Sequence, residues 1–234
     1  MSQYRPSPFA NITPVVKNLL IINFIFYLAE WVLQGHFDML GTFSAFYFDS
    51  PLFRPWQIIT YMFMHASKDP MHIIGNMFGL FMFGPMLEYT MGSKRFFNFY
   101  FLTGIGALLL QLGIQALELH SITGHFTLGD FQPHDIATAL KLEAIYGPIL
   151  GASGAIFGIL AGFALLFPNV EMMMIMIPFP VKAKYFVGFY FLYELYDGIS
   201  RSGDNIAHFA HVGGAIVGFI LIKIWGLRGP RQFY

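Results

Sequence analysis

The chain has 234 residues, of which 56% are hydrophobic and only 11% charged, with a mean hydropathy of +0.59 and a formal net charge of zero. A soluble domain carries about 25% charged residues, so an ordinary water-soluble protein is excluded, and the neutral balance offers no basic surface for nucleic acid. The absence of cysteine removes disulfides and thiolate-ligated metals from consideration.

What remains is an all-α polytopic membrane bundle, and 28 Phe and 12 Tyr suit its lipid-facing surfaces and interfacial belts. A span needs about 20 apolar residues, fewer when buried among other helices. Residues 1–14 read as a cytoplasmic leader, 15–226 as a six-helix membrane domain and 227–234 as a short cytoplasmic tail. The first span runs from Val15 to Leu33. From Gly35 to Pro70, aromatic residues alternate with Asp38, Asp49, Arg54 and Lys68, which predicts an interfacial segment lying partly in the headgroups. Met71–Thr90 and Phe96–Leu117 are the second and third spans, and His120–Gly147 is a long polar connection. The fourth span, Ser153–Phe167, is short and glycine-rich, so it is predicted to be central and protein-buried. Pro168–Pro180, with Met172, Met173, Met174 and Met176, either extends the fourth span or lies at the interface. Tyr185–Ser200 and Ile206–Trp225 complete the six. With both termini inside, nine of the 13 Lys and Arg fall on cytoplasmic segments and four on outer ones, as the positive-inside rule requires.

On this topology the second, fourth and sixth spans all run inward from the outer face. His72 and Asn76 stand four apart in the first turns of the second, Ser153 opens the fourth, and His208 and His211 share a face at the start of the sixth. Three helices thus present polar groups at one depth, and polar groups inside a span are costly and mark function. A serine hydroxyl becomes a nucleophile when a neighbouring base takes its proton, and neutral histidine does so near pH 7. Donors for the resulting oxyanion are at hand in the Ser153 backbone N–H, the Asn76 amide and His72. No Asp is placed to orient the base, so a Ser–His dyad is expected, supported by Phe157 one turn after Ser153. Gly154, Gly158 and Gly162, facing Gly214 and Gly218, would let the fourth and sixth helices approach closely.

His72-Ile-Ile-Gly-Asn76, Gly151-Ala-Ser153-Gly154 and Ala210-His211-Val-Gly-Gly214-Ala-Ile-Val-Gly218 resemble the HxxxN, GxSG and AHxxGxxxG signatures of rhomboid intramembrane serine proteases. The resemblance covers Trp56 to Gly218; each motif alone is weak, but three in order on the right helices are specific. It implies that Ser153 is the nucleophile, His211 the base, and His72 and Asn76, with Gly151 and Gly154, line the oxyanion and substrate site. It further implies membrane-protein substrates that enter sideways from the bilayer past a mobile fifth helix and the following loop Arg201–Asn205, with the site towards the outer face of a bacterial inner membrane. His211 rather than His208 fits the motif because Gly214 and Gly218 follow it at plus three and plus seven. Gln57 stands where the family often has Arg, and Phe157 where it often has Tyr.

Other polar groups receive plainer readings. His65 is read as an interfacial loop histidine, His208 as a water-facing neighbour of His211, and Glu88, Glu194 and Asp197 as helix-end or loop anchors. No carboxylate or cysteine set with ligand spacing accompanies the histidines, so neither a metal nor another cofactor is expected. The competing function classes are a non-catalytic rhomboid-like client-binding protein, which would lack the serine or histidine, and a transporter, which would show inverted repeats.

Overall fold

A computed structural model describes residues 12–174, 177–200 and 208–230. The leader up to residue 11, the loop Arg201–Asn205 and the end of the tail lie outside the described residues.

A helix stands on each of the six apolar stretches: α1 (Pro14–Leu33), α4 (Pro70–Met91), α5 (Ser93–Thr123), α7 (Ser153–Leu166), α8 (Ala183–Ser200) and α9 (His208–Ile224). Among the described residues, α1 and α5 are long and apolar enough to cross a bilayer, while α7 and α9 are shorter apolar helices. Helix α7 is the centre of the bundle, packed by α4, α5, α8 and α9, and ten of its 14 residues are buried. Around it the core is filled by Leu80 and Leu87 of α4, Phe96, Phe99 and Tyr100 of α5, and Ile159 and Leu166 of α7 itself. The outward faces are apolar as well: Phe24, Ile25 and Val32 on α1, Phe189 and Leu192 on α8, and Phe219 and Ile224 on α9 are exposed. Apolar surface on both the inner and outer faces of a bundle is the pattern of a protein solvated by lipid.

Glu88 joins three elements where α1 begins and α4 meets α5. Its two carboxylate oxygens accept from the backbone N–H groups of Val15 and Val16 at 3.1 and 3.0 Å, and Ser93 donates to it at 2.7 Å. It therefore caps the start of α1 and ties it to the α4–α5 junction, as a helix-end anchor does.

Four stretches add detail to the expected topology. The segment Gly35–Pro70 contains α2 (Met39–Phe43), α3 (Gln57–Thr60) and a 3-10 turn at Tyr61–Phe63. It buries Phe46, Tyr47, Tyr61, Met62 and Met64 in the protein, while Phe37, Phe48 and Trp56 stay exposed. Buried Gln57 organises this segment: its amide donates to the carbonyls of Gly41 and Leu52, and its oxygen accepts from Arg54 N–H. The polar connection after α5 is not all loop, because Ile136–Tyr146 forms α6, capped by Asp135. Asp49 holds this region down, accepting from Leu128 N–H at 2.7 Å and Tyr146 Oη at 3.0 Å.

Of the two alternatives for the stretch after α7, extension of that helix is ruled out. The stretch is a hairpin of β1 (Glu171–Met174) and β2 (Ile177–Lys182), antiparallel with Glu171 opposite Lys182, so the fold is mostly rather than purely helical. Pro168 cannot continue a helix and Pro180 removes a ladder donor, which a two-stranded ribbon tolerates on its outer edges. Finally, part of the tail packs on the bundle, with Leu227 against the core and Gly229 against the backbone of Leu166.

Candidate active site

The loop that delivers Ser153 is fixed by backbone pairing. Ala45 and Ile149 exchange two hydrogen bonds, at 2.8 and 2.7 Å, and Gly151 N–H donates to the Tyr61 carbonyl at 3.0 Å. Gly151 has φ +121°, a conformation that side chains disfavour. A Cβ there would also lie 2.8 Å from His72 Nε2 and 3.6 Å from Ser153 Oγ, so the glycine keeps open the space between these two groups. Ser153 then begins α7 with its backbone N–H at the positive end of the helix.

His211 lies one turn into α9. Its Nε2 is 2.8 Å from Ser153 Oγ, although 58 residues separate the two in sequence. The approach depends on bare glycines along the α7–α9 seam. A Cβ on Gly214 would strike the Gly154 carbonyl, and one on Gly218 would lie 2.7 Å from the Gly158 carbonyl oxygen. The imidazole is stacked on Phe157, with ring centroids 4.4 Å apart and planes within 5°.

His72 and Asn76 face the same cavity, of about 1320 Å³, which Ser153 and His211 also line. Ala66 N–H donates to His72 Nδ1 at 3.4 Å, an arrangement that leaves the ring proton on Nε2, the nitrogen beside Gly151. One Asn76 amide proton is committed to the His72 carbonyl at 2.8 Å, and the other remains to donate. The nine residues singled out from sequence (Gly151, Ser153, Gly154, Phe157, His72, Asn76, His211, Gly214 and Gly218) thus meet where α4, α7 and α9 converge.

Three of the plainer readings are corrected. His65 is not an interfacial residue: it has no exposed surface, and its ring lies 5.2 Å from that of His72. Burial, reinforced by His72, lowers its pKa to about 4. Nor does His208 face water or Glu194 anchor a helix end. Both are buried, and His208 Nδ1 and His211 Nδ1 approach the same carboxylate oxygen, Glu194 Oε2, at 2.7 and 2.8 Å.

Sequence reasoning passed over this contact, yet a signal existed. Ala183, Val187, Tyr190, Glu194 and Asp197 fall on one stripe of α8, so both carboxylates lie on its inward face. Glu194, His208 and His211 form the one cluster among the described residues with the makings of a metal site. Ligands around a zinc ion at about 2.0–2.1 Å sit more than 3 Å from one another, so atoms 2.7 and 2.8 Å apart are hydrogen-bonded partners with no room for an ion between them.

A Rhomboid domain family model matches residues 53–228, the stretch that carries the whole cavity. The chain is 29% identical over 156 residues to Rhomboid protein 1, mitochondrial, of Saccharomyces cerevisiae, covering 66% of this chain and 38% of that protein. It is 26% identical over 215 residues to Rhomboid-like protein 11, chloroplastic, of Arabidopsis thaliana (87% and 62%), and 27% identical over 212 residues to Rhomboid-like protein 16, chloroplastic, of the same plant (88% and 60%). The chain spans under two thirds of the length of each. These relatives are mitochondrial and chloroplastic by name, so the expectation of a bacterial inner membrane is not supported. With the match running from Phe53, ahead of α3, to beyond the end of α9, the chain belongs to the Rhomboid family, whose members are integral membrane proteins.

Proposed function

We propose that this chain is an intramembrane serine endopeptidase that cleaves membrane proteins in or near their transmembrane segments. The observation that carries this reading is the 2.8 Å contact between Ser153 Oγ and His211 Nε2 at the wall of a cavity. In this reading α1, α4, α5, α7, α8 and α9 all cross the bilayer, both termini are cytoplasmic and the site lies towards the outer face. The substrate segment enters from the bilayer past α8.

The chemistry follows from the geometry. As Ser153 Oγ attacks the scissile carbonyl carbon, its proton passes to His211 Nε2. The carbonyl oxygen becomes an oxyanion in the space left by Gly151, where His72 Nε2–H, the Asn76 amide and the Ser153 backbone N–H are available to donate. Collapse breaks the C–N bond, and the His211 imidazolium returns its proton to the leaving amine. Water entering the cavity then attacks the acyl-enzyme with His211 again as base, releasing the carboxylic acid and regenerating Ser153.

The test is cleavage of a purified single-span reporter in detergent, together with labelling by a fluorophosphonate. Wild type is expected to cleave the reporter and to be labelled at Ser153, and Ser153→Ala to lose both at an unchanged melting temperature. Cleavage by Ser153→Ala protein, free of host protease, would overturn the reading. A client-binding protein or a transporter would neither label nor cleave.

A further inference from the structure

We propose that Glu194 is a positioning residue for His211, so that the proposed dyad works as a relay of Ser153, His211 and Glu194, with His208 as a second donor holding the carboxylate in place. This rests on the peptidase reading above and assigns to α8 a part in the chemistry that none of the three motifs contains.

The inference stands on the tautomer. An ionised carboxylate only accepts hydrogen bonds, so each imidazole nitrogen facing Glu194 Oε2 must carry the proton. For His211 that places its hydrogen on Nδ1 and leaves the Nε2 lone pair towards Ser153 Oγ, the one arrangement in which this ring can act as a base. Without a partner on Nδ1, both tautomers of the ring are open and one of them is inert. Rotation is restrained from a second side, because Phe157 of α7 lies flat on the ring. Three helices therefore hold the imidazole: α9 carries it, α7 covers one face and α8 fixes its proton.

Charge adds a second contribution. Glu194 is 4% exposed, and an unpaired carboxylate at that burial is strongly disfavoured. Two N–H donors on one oxygen satisfy it in the resting enzyme. When His211 takes the Ser153 proton it becomes a cation 2.8 Å from a fixed anion, which favours the charged intermediate over the resting state. Glu194 itself exchanges no proton; it holds the Nδ1 hydrogen throughout. His208, 5% exposed and 2.7 Å from the same oxygen, keeps that oxygen from turning away.

Glu194→Gln tests this, since an amide keeps the shape, removes the charge and can present N–H to Nδ1, driving the His211 proton to Nε2. The expected result is a fall in kcat of about 10,000-fold, the loss seen when a serine protease base is left in the wrong tautomer, with KM within threefold and an unchanged melting temperature. A kcat within threefold of wild type would overturn the proposal. Nitrogen-15 shifts of His211 in wild-type protein decide independently should the variant not fold: protonation at Nδ1 supports the relay, and protonation at Nε2 refutes it. Ser153→Ala run alongside separates the two ideas, because cleavage by that protein sinks the peptidase reading, whereas an active Glu194→Gln beside an inactive Ser153→Ala sinks only the role of Glu194.

Discussion

Replacing Gly214 by Ala puts one methyl group into the seam between α7 and α9. It would strike the Gly154 carbonyl oxygen, and it would lie 2.7 Å from the carbonyl carbon and 3.3 Å from the Cα of the same residue. Carbon atoms in ordinary contact are about 3.5–4.0 Å apart, so the helices must part by about 1 Å. All three atoms are backbone, and no side chain can swing aside. Gly154 is next to Ser153, and Gly214 is less than one turn from His211, so the strain falls where the Ser153–His211 hydrogen bond is made. Parting the helices by 1 Å would stretch that 2.8 Å contact to about 3.8 Å, beyond hydrogen-bond range. A misplacement of this size costs about 100-fold in rate. Overpacking adds about 1–3 kcal/mol of destabilisation, partly offset by about 0.5–1 kcal/mol from the better helix propensity of Ala. Reporter cleavage by purified Gly214→Ala, normalised to folded protein by its melting curve, is expected to fall about 100-fold. Gly218→Ala, two turns from His211, should be milder. Gly188→Ala on α8, whose new Cβ meets nothing within 4 Å, serves as the control and should match wild type. Cleavage by Gly214→Ala within threefold of wild type would refute the claim that backbone contact sets the distance between Ser153 and His211.

Two further outcomes follow from the segment between α1 and α4. The His65 pKa of about 4, against 6.5 in the unfolded chain, means that between these values only the unfolded state takes up the proton. Stability is therefore full above pH 6.5 and falls as the pH drops towards 4, by roughly 3 kcal/mol for this group. Chemical denaturation in detergent across this range should show a shallower fall for His65→Gln, and parallel curves for the two proteins would contradict the assignment. Asp49→Ala removes the acceptor shared by Leu128 N–H and Tyr146 Oη, loosening α6 by about 1–3 kcal/mol. Limited proteolysis between residues 124 and 135 should accelerate at least several-fold; a wild-type rate would show that other contacts hold this region.

Along the chain, what could be read without the structure was whatever depends on local pattern. Apolar runs located the six main helices to within three residues, except that α5 continues six residues past Leu117, because a helix in an apolar setting is the way to satisfy its own backbone. Motif spacing placed Ser153, His72, Asn76 and His211 on helix ends, since i, i+3 and i+4 relations are properties of a single helix. The Met-rich stretch after α7 was ambiguous because the six consecutive apolar residues Met172–Ile177 fit a strand or a helix equally, and the hairpin depends on pairing between β1 and β2. Ile136–Tyr146 was read as loop because its polar residues hid a short amphipathic helix whose partner, Tyr47, lies about 90 residues upstream. The composition alone pointed to a lipid-solvated helical bundle and, with its motifs, to the residues for which acyl chemistry is proposed. Only the tertiary structure decided that the buried stripe of α8 faces α9, and hence that Glu194 meets both histidines: periodicity fixes which side of a helix is inward, but the packing of one helix on another chooses which inward sides meet.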